Sequence, residues 1–166
     1  MADSLRILGT IAWTVTHEGR VVRHGQVRNL VTRVGDQLYA ERGAGIASPP
    51  ALPTGMKLGT GDEPVTKTGT GAQIETYLTD SDQAFDGGSP SSALDGSARQ
   101  IAYAATWAPG KATTATPITE IVIVNESLTD ATSLAAATVA RALVSIGTKA
   151  ADFGLTVVWT HNLLGA

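Results

Sequence analysis

The chain contains 166 residues, of which 43% are hydrophobic and only 16% are charged, and its formal net charge is −3. This length fits one structural domain spanning residues 1–166. The net acidity disfavours electrostatic binding to nucleic acid, no stretch provides the roughly 20 apolar residues of a membrane helix, and the lack of cysteine excludes disulfides and thiolate metal sites.

The low charged share also indicates how the surface is used. Because burying an unpaired charge is costly, a surface with few charges suits a protein that packs against other proteins. An ordinary secreted or cytoplasmic β-domain is the alternative interpretation of this composition. The opening residues lack the features of a signal peptide, since Asp3 comes early and no cleavage motif follows, so we expect synthesis without export.

The first predicted element is a β-hairpin. Ile11, Trp13 and Val15 alternate with small or polar residues, which is the period of a strand with one buried face. A turn at Gly19 leads into a second apolar segment that we expect to return beside the first. Because this segment opens the chain and is apolar on one face, residues 1–28 are predicted to form either a hairpin within the domain or an arm that reaches a neighbour.

The second predicted element is the one helix of the chain. Val31, Val34 and Leu38 recur at spacings of three and four, which predicts a short helix over about residues 31–42. Thr32 is a candidate N-cap, and a glycine follows at the position where helices commonly end. Three closely spaced prolines then exclude regular structure for several residues.

Strands and long loops make up the rest of the prediction. Residues 59–71 and 79–98 are rich in Gly, Thr, Ser and Asp and read as long irregular loops. Residues 134–146 stay open between helix and strand, because alanines favour the first and β-branched residues the second. Further strands are predicted at Met56–Leu58, Arg99–Ala108, Ile118–Val124 and from Leu155 towards the C-terminus. Repeated strands with one short helix predict a mainly β fold, a jelly-roll-like β-sandwich.

Two loop segments imitate ligand sites. Residues 61–68 resemble a phosphate-binding P-loop, but Thr66 stands where that motif has Gly, and Pro64 removes a backbone amide. Asp80, Asp82 and Asp86 are a weak calcium candidate, since acidic residues at short intervals before Gly gather hard oxygen ligands. Their spacing matches no EF-hand and the closing Glu is missing, so solvated loop acids are the default interpretation. No other metal and no other cofactor is expected.

Catalysis is not expected, and the aromatic residues are interpreted as anchors. Two hairpin histidines, His17 and His24, make only a thin case for a zinc site in a chain without Cys, and no G-x-S-x-G elbow occurs. Trp13, Trp107 and Trp159 each fall on the apolar face of an alternating strand, which predicts core or interface anchors in preference to a sugar-binding platform.

Glu120 is a charged residue inside the otherwise apolar predicted strand Ile118–Val124. Burying this carboxylate alone would be costly, so we expect it to meet either a basic partner or a run of backbone amides. The candidate partners are Arg99 and Arg141. Glu120 is accordingly predicted to be a further core or interface anchor.

Four motifs occur here in the order that they have in a family of tailed-phage virion structural proteins. They are N-x-V-T-x-x-G at residues 29–35, lGtG at 58–61, I-T-E-x-x-x-x-N at 118–125 and L-T-V-x-W-T at 155–160. The chain resembles this family from about Asn29 to its end and departs from it in the long loop that contains Asp80. Members of the family are decoration, baseplate or tail-fibre components.

The resemblance implies a non-enzymatic virion protein made in the host cytoplasm. We expect a capsid decoration (cement) protein that binds the major capsid protein lattice, stabilises the head and associates with itself as a trimer, without nucleic-acid or membrane partners. A tail, baseplate or tail-fibre protein is the alternative, although one short domain without fibrous repeats argues against a receptor-binding fibre. A carbohydrate-binding module is a third hypothesis.

Overall fold

The computed structural model describes residues 6–96 and 98–164, and most of them lie in strands. The strands are β1 (Arg6–His17), β2 (Arg20–Val31), β3 (Gly55–Gly59), β4 (Gln83–Ala84), β5 (Ser91–Asp95), β6 (Ala98–Trp107), β7 (Thr114–Val124), β8 (Thr138–Lys149) and β9 (Phe153–Leu164). One α-helix, α1 (Arg33–Gly43), follows β2, and two 3₁₀ turns span Thr70–Ala72 and Ala135–Ala137. No helix in the described ranges is long and apolar enough to cross a membrane.

The nine strands form one antiparallel sheet in the order β4-β3-β7-β8-β2-β1-β9-β6-β5. Strand β2 joins two halves, because it pairs with β1 along most of its length and with β8 at Leu30 and Val31. We call β2, β1, β9, β6 and β5 the front half, and β8, β7, β3 and β4 the back half. One apolar core contains residues of both halves, among them Ile11, Trp107 and Trp159 from the front and Leu58 and Ile121 from the back. The predicted mainly β, sandwich-like fold with one helix is confirmed.

The N-terminal hairpin forms the side of the front half that adjoins the back half. Strands β1 and β2 are joined by Glu18 and Gly19, whose φ angles of 49° and 74° match a tight turn that follows the twist of the strands. Strand β1 lies between β2 and β9, and Ile11 and Val15 are fully buried. From Arg6 onward the hairpin is therefore an integral part of the sheet and not an arm.

Helix α1 begins two residues later than predicted. Val31 is the last residue of β2, where it pairs with Ala140, and its buried side chain also lies against Gly35 of the helix. Thr32 is the N-cap: its hydroxyl oxygen accepts a hydrogen bond from the amide of Gly35 at 3.3 Å and donates to the carbonyl of Thr138 at 2.5 Å. The cap thus ties the start of the helix to the start of β8.

Strands form in two segments for which the sequence predicted either a helix or a strand, or an irregular loop. Residues 134–146 contain a single 3₁₀ turn followed by β8, because the β-branched residues fill a position between β7 and β2 in the middle of the sheet. The predicted loop 79–98 contains β4 and the edge strand β5, which pairs with β6. Strand β5 is exposed along its whole length, so it has no apolar alternation to reveal it in the sequence.

Candidate functional site

The most unusual group of side chains lies on the outer face of the back half, opposite the core. Strand alternation sends Lys57, Glu120 and Arg141 to this face, and all three are fully buried. Two loops cover them: residues 60–76, which we call the anchored loop, and residues 125–133. A small second apolar cluster of Ile74 with Val122 and Val124 fills the space beneath these loops.

Glu120 and Arg141 form a buried ion pair. The Oε2 atom of Glu120 accepts hydrogen bonds from Nη2 of Arg141 at 2.8 Å and from Nε at 3.1 Å. Backbone amides complete the shell of the carboxylate: Gly61 donates at 3.1 Å, Glu75 at 3.1 Å and Thr76 at 2.8 Å. Glu120 therefore meets both kinds of partner that the sequence predicted.

Arg99, the other candidate partner of Glu120, lies elsewhere. It is an exposed residue of β6, in the front half of the sheet, where it pairs with Leu163. The choice between the two arginines depends on the pairing of β7 with β8, which sets Arg141 beside Val122 and on the same face as Glu120. This pairing is a long-range property that the spacing of residues in the sequence does not report.

The guanidinium of Arg141 extends the pair to the far side of the anchored loop. Its Nη1 atom donates to the carbonyls of Glu63 at 2.9 Å and Gly71 at 3.0 Å. A second carboxylate, that of Glu75, accepts from the amides of Asp62 at 2.7 Å and Glu63 at 2.6 Å. The anchored loop is thus fixed at its beginning, middle and end by charged hydrogen bonds, which are stronger than neutral ones.

The lGtG motif provides the space for this arrangement. A Cβ atom on Gly59 would lie 2.4 Å from Oε1 of Glu120, and one on Gly61 would lie 2.7 Å from the same atom and 2.4 Å from Oε2 of Glu75. Neither position has room for a side chain. The amide of Gly61 already donates to Glu120, so this loop does not present that amide to a phosphate.

Lys57 fixes the second covering loop. Its Nζ atom donates to the carbonyl of Ala131 at 2.8 Å and to Oε1 of Glu126 at 3.3 Å, and it lies 5.6 Å from the centre of the Tyr77 ring. The hydroxyl of Ser133 also donates to Glu126. The buried ions Lys57, Glu120 and Arg141 therefore bond within the chain, where they hold loops to the sheet.

The three tryptophans lie between the two halves of the sheet. Trp107 and Trp159 are fully buried and Trp13 is 7% exposed. Nε1 of Trp107 donates to the carbonyl of Ser81 at 2.8 Å, which ties the loop before β4 to the core. Gly25 on β2 faces Trp13 so closely that a Cβ would lie 2.3 Å from its ring. All three residues sit inside the chain as core side chains.

A hydrogen-bonded group of aromatic residues at one end of the core was missed by the sequence analysis. The buried His161 lies with Nδ1 2.6 Å from the hydroxyl of Tyr39 and Nε2 3.2 Å from Nδ2 of Asn29, and the hydroxyls of Tyr39 and Tyr103 are 2.9 Å apart. Burial lowers the pKa of His161 to about 4 and raises the pKa of both tyrosines, so all three rings are neutral near pH 7. The alternation of the last strand places His161 on the same face as Trp159, and this was the signal available for finding the group.

The acidic loop residues are not brought together. Asp80 forms an ion pair with Lys111, Asp86 accepts a hydrogen bond from the hydroxyl of Thr106 at 2.8 Å, and Asp82 lies 3.5 Å from the hydroxyl of Tyr77. Across residues 6–96 and 98–164, no three acidic or histidine side chains are grouped so that they could hold a metal ion. The structure therefore does not bring the three residues of the predicted calcium site together.

In comparisons with protein-family models, with curated proteins and with solved structures, the chain matches none of them.

Proposed function

We propose that the protein is a non-enzymatic structural component of a tailed-phage virion and, within that class, a capsid decoration protein. The observation that carries the proposal is the Glu120–Arg141 pair with the loop that it fixes. A protein that binds a lattice by shape gains from loops that are already ordered, because little conformational entropy is then lost on binding. The anchored loop meets that requirement.

The proposal is supported by the structural roles of residues in the four motifs on which the resemblance to virion proteins rests. Asn29 contacts His161, Thr32 caps α1 onto β8, and Trp159 fills the core. The glycines of lGtG make room for Glu120, which is itself the acidic residue of the third motif. Each motif thus serves packing and loop geometry, and none of these roles requires a substrate.

The distribution of charge supports a packing role as well. Lys57, Glu120 and Arg141 are satisfied inside the chain, so these ions are not available to act on a substrate. The charged share of the whole chain is low, which reduces the desolvation cost of a broad contact with other proteins. The partners that we propose are copies of this chain and the major capsid protein.

The same structural features bear on the two other candidate functions. A tail, baseplate or tail-fibre protein needs the same rigid β-domain, so it stays the alternative. A carbohydrate-binding module needs aromatic rings exposed to the ligand, whereas Trp13, Trp107 and Trp159 lie in the core. The structure therefore gives no specific support to the carbohydrate module.

If the proposal is correct, the gene belongs to a tailed phage, and the test uses particles of that phage. Purified protein is mixed separately with heads that lack the protein and with isolated tails, and each mixture is sedimented. Saturable binding to heads, with a fixed number of copies per capsid and a higher temperature of head disruption, is the expected result. Binding to tails alone would favour the alternative, and binding to neither particle would overturn the proposal.

A further inference from the structure

A cavity lies beside the buried His161, where helix α1 packs against the end of the core. It is formed by α1, by the proline-rich segment 49–53, by Pro90 before β5 and by β6. Its volume is about 360 Å³, within the range of roughly 300–1,000 Å³ that is typical of small-molecule sites. At about 30 Å³ for each water molecule, this volume corresponds to about twelve waters. The cavity can therefore take a molecule with about that many non-hydrogen atoms.

Most of the cavity wall is apolar. The apolar residues are Leu38, Leu52, Pro53, Pro90 and Ile101. Leu38 is buried in the core and Ile101 packs against it, whereas Leu52 is 59% exposed and so belongs to the rim. A wall of this composition favours a ligand whose body is apolar, and the few polar groups then decide its orientation and its chemical class.

Arg42 supplies the charge of the cavity wall, and none of the described residues that line the cavity is acidic. Its Nη2 atom donates to the carbonyl of Pro50 at 3.1 Å. Across residues 6–96 and 98–164, no carboxylate forms an ion pair with this guanidinium. A guanidinium has five N–H donors in a planar fork that matches the two oxygens of a carboxylate. Arg42 can therefore bind an anionic ligand group and keep its bond to Pro50.

A second hydrogen-bond donor comes from the pair Tyr39 and Tyr103, both of which line the cavity. Nδ2 of Asn29 can only donate, so Nε2 of the neutral His161 accepts and the proton of the ring is on Nδ1. Nδ1 therefore donates to the hydroxyl oxygen of Tyr39, and the contact between the two tyrosine hydroxyls uses only one of their two protons. The other hydroxyl proton has no acceptor in the described part of the chain. An acceptor atom of a ligand would satisfy it.

The two donors belong to the same side of the cavity. Tyr39 and Arg42 are three residues apart in α1, and residues at this spacing are neighbours on the surface of a helix. The cavity thus combines an apolar wall with one positive charge and one unused hydroxyl donor. The ligand complementary to this combination is an apolar molecule with one carboxylate, which supplies both the negative charge and the acceptor oxygens.

We propose that this cavity binds a small hydrophobic carboxylic acid as its anion. The carboxylate lies at Arg42 and the tyrosine pair, and the hydrocarbon part packs on the apolar wall. The inference goes beyond the proposed function, because it involves neither a capsid nor a second copy of the chain. It can be tested on the purified protein alone, so the two proposals can fail separately.

The first test compares two probes that have the same hydrocarbon chain and opposite charges. Decanoate matches the size of the cavity, and isothermal titration calorimetry at pH 7 should show saturable binding at one site per chain with a Kd below about 1 mM. Decyltrimethylammonium should bind at least about 10-fold more weakly, because its cation would face Arg42. The absence of saturable decanoate binding, or equal affinities for the two probes, would overturn the proposal.

The second test locates the bound decanoate with two pairs of variants. Arg42→Gln should raise the Kd at least about 10-fold through the loss of a charged hydrogen bond, whereas Arg33→Gln, at the other end of α1, should leave it unchanged. Leu52→Glu places a carboxylate at the rim and should also weaken binding, whereas Leu134→Glu, at an exposed leucine outside the cavity, should not.

All four variants replace exposed side chains, so we expect them to fold, and circular dichroism verifies this. A decanoate affinity that either Arg42→Gln or Leu52→Glu leaves unchanged would place the ligand elsewhere and overturn the proposal.

Discussion

Oε2 of Glu120 lies 2.8 Å from Nη2 of Arg141, and both side chains are completely enclosed by protein. Removing two charges from water costs several kcal/mol per ion, and the attraction between the ions offsets that cost only when the remaining hydrogen-bonding capacity is filled. Here the carboxylate has three backbone amides and the guanidinium has two carbonyls as additional partners. The Glu120–Arg141 pair therefore also fixes the anchored loop to the sheet. Replacing either residue should weaken both the ion pair and the attachment of the loop.

Replacing Glu120 by Gln should destabilise the protein by about 3–5 kcal/mol, because Arg141 would remain buried and charged without a counter-ion. Urea denaturation measures the change. The control is Arg99→Gln, which removes an exposed charge and should alter the free energy of unfolding by less than about 0.5 kcal/mol. A loss below about 1 kcal/mol for Glu120→Gln would contradict the role assigned to the pair.

The double variant Glu120→Leu with Arg141→Met separates pairing from burial. Removing both ions leaves no uncompensated charge, so the double change should cost less than the sum of the two single changes. Limited proteolysis should still cut the anchored loop faster than in the parent protein, since its charged hydrogen bonds are gone. Additive single effects in the double-mutant cycle would show that the two residues act independently.

Gly61→Ala tests the close approach of the lGtG motif. The new methyl group would lie within 2.7 Å of both carboxylates that hold the anchored loop, so we expect a loss of about 1–3 kcal/mol, typical of overpacking. Gly87→Ala is the matched control, because nothing lies within 4 Å of the new Cβ there and the backbone does not require glycine. Equal melting temperatures for Gly61→Ala and the parent would mean that the loop yields without cost.

His161 should make stability depend on pH in the mildly acidic range. The folded protein holds the pKa of His161 at about 4, below its ordinary value of 6.5, because burial penalises the charged ring. The unfolded chain therefore binds the proton more readily, and stability contributed by the neutral ring is lost as the pH falls from 6.5 towards 4. Linkage gives a loss of roughly 2 kcal/mol between pH 7 and pH 5.

Denaturation of the parent and of His161→Gln at several pH values measures this contribution. The variant is expected to be less stable at pH 7, because the ring packs with Tyr39 and Tyr103, but it should lose about 2 kcal/mol less than the parent between pH 7 and pH 5. His24→Gln replaces an exposed histidine and should keep the pH dependence of the parent. Parallel curves for the parent and His161→Gln would refute the assignment.

The alternation of apolar and polar residues along the sequence was sufficient to predict the parts of the fold that depend on neighbouring residues. Ile11, Trp13 and Val15 alternate over a continuous strand, and the predicted hairpin is present. Glu120 could be recognised because a lone carboxylate in an apolar strand needs partners wherever the strand lies. In both cases a few neighbouring residues contain the relevant information.

Other parts of the fold depend on contacts between residues that are distant in the sequence, and local sequence patterns do not reveal these contacts. Val31 fits the period of a helix, yet its pairing with Ala140 places it in β2. Strand β5 pairs with β6, and its exposed residues form no apolar face that the sequence could reveal. Tyr39 meets His161 across more than a hundred residues because α1 packs at the end of the core, and neither position identifies the other in the sequence.

Trp159→Ala is the most direct test of the C-terminal strand. The side chain is fully buried at the centre of the front half, so its removal should cost about 3–5 kcal/mol, a large part of the stability of a domain. Leu134→Ala, at an exposed leucine, is the control and should change the free energy of unfolding by less than about 0.5 kcal/mol. Urea denaturation and head-binding assays on the same preparation distinguish the outcomes. A variant that unfolds like the parent but no longer binds heads would make Trp159 an interface residue, and one that both unfolds and binds normally would contradict every role assigned to it.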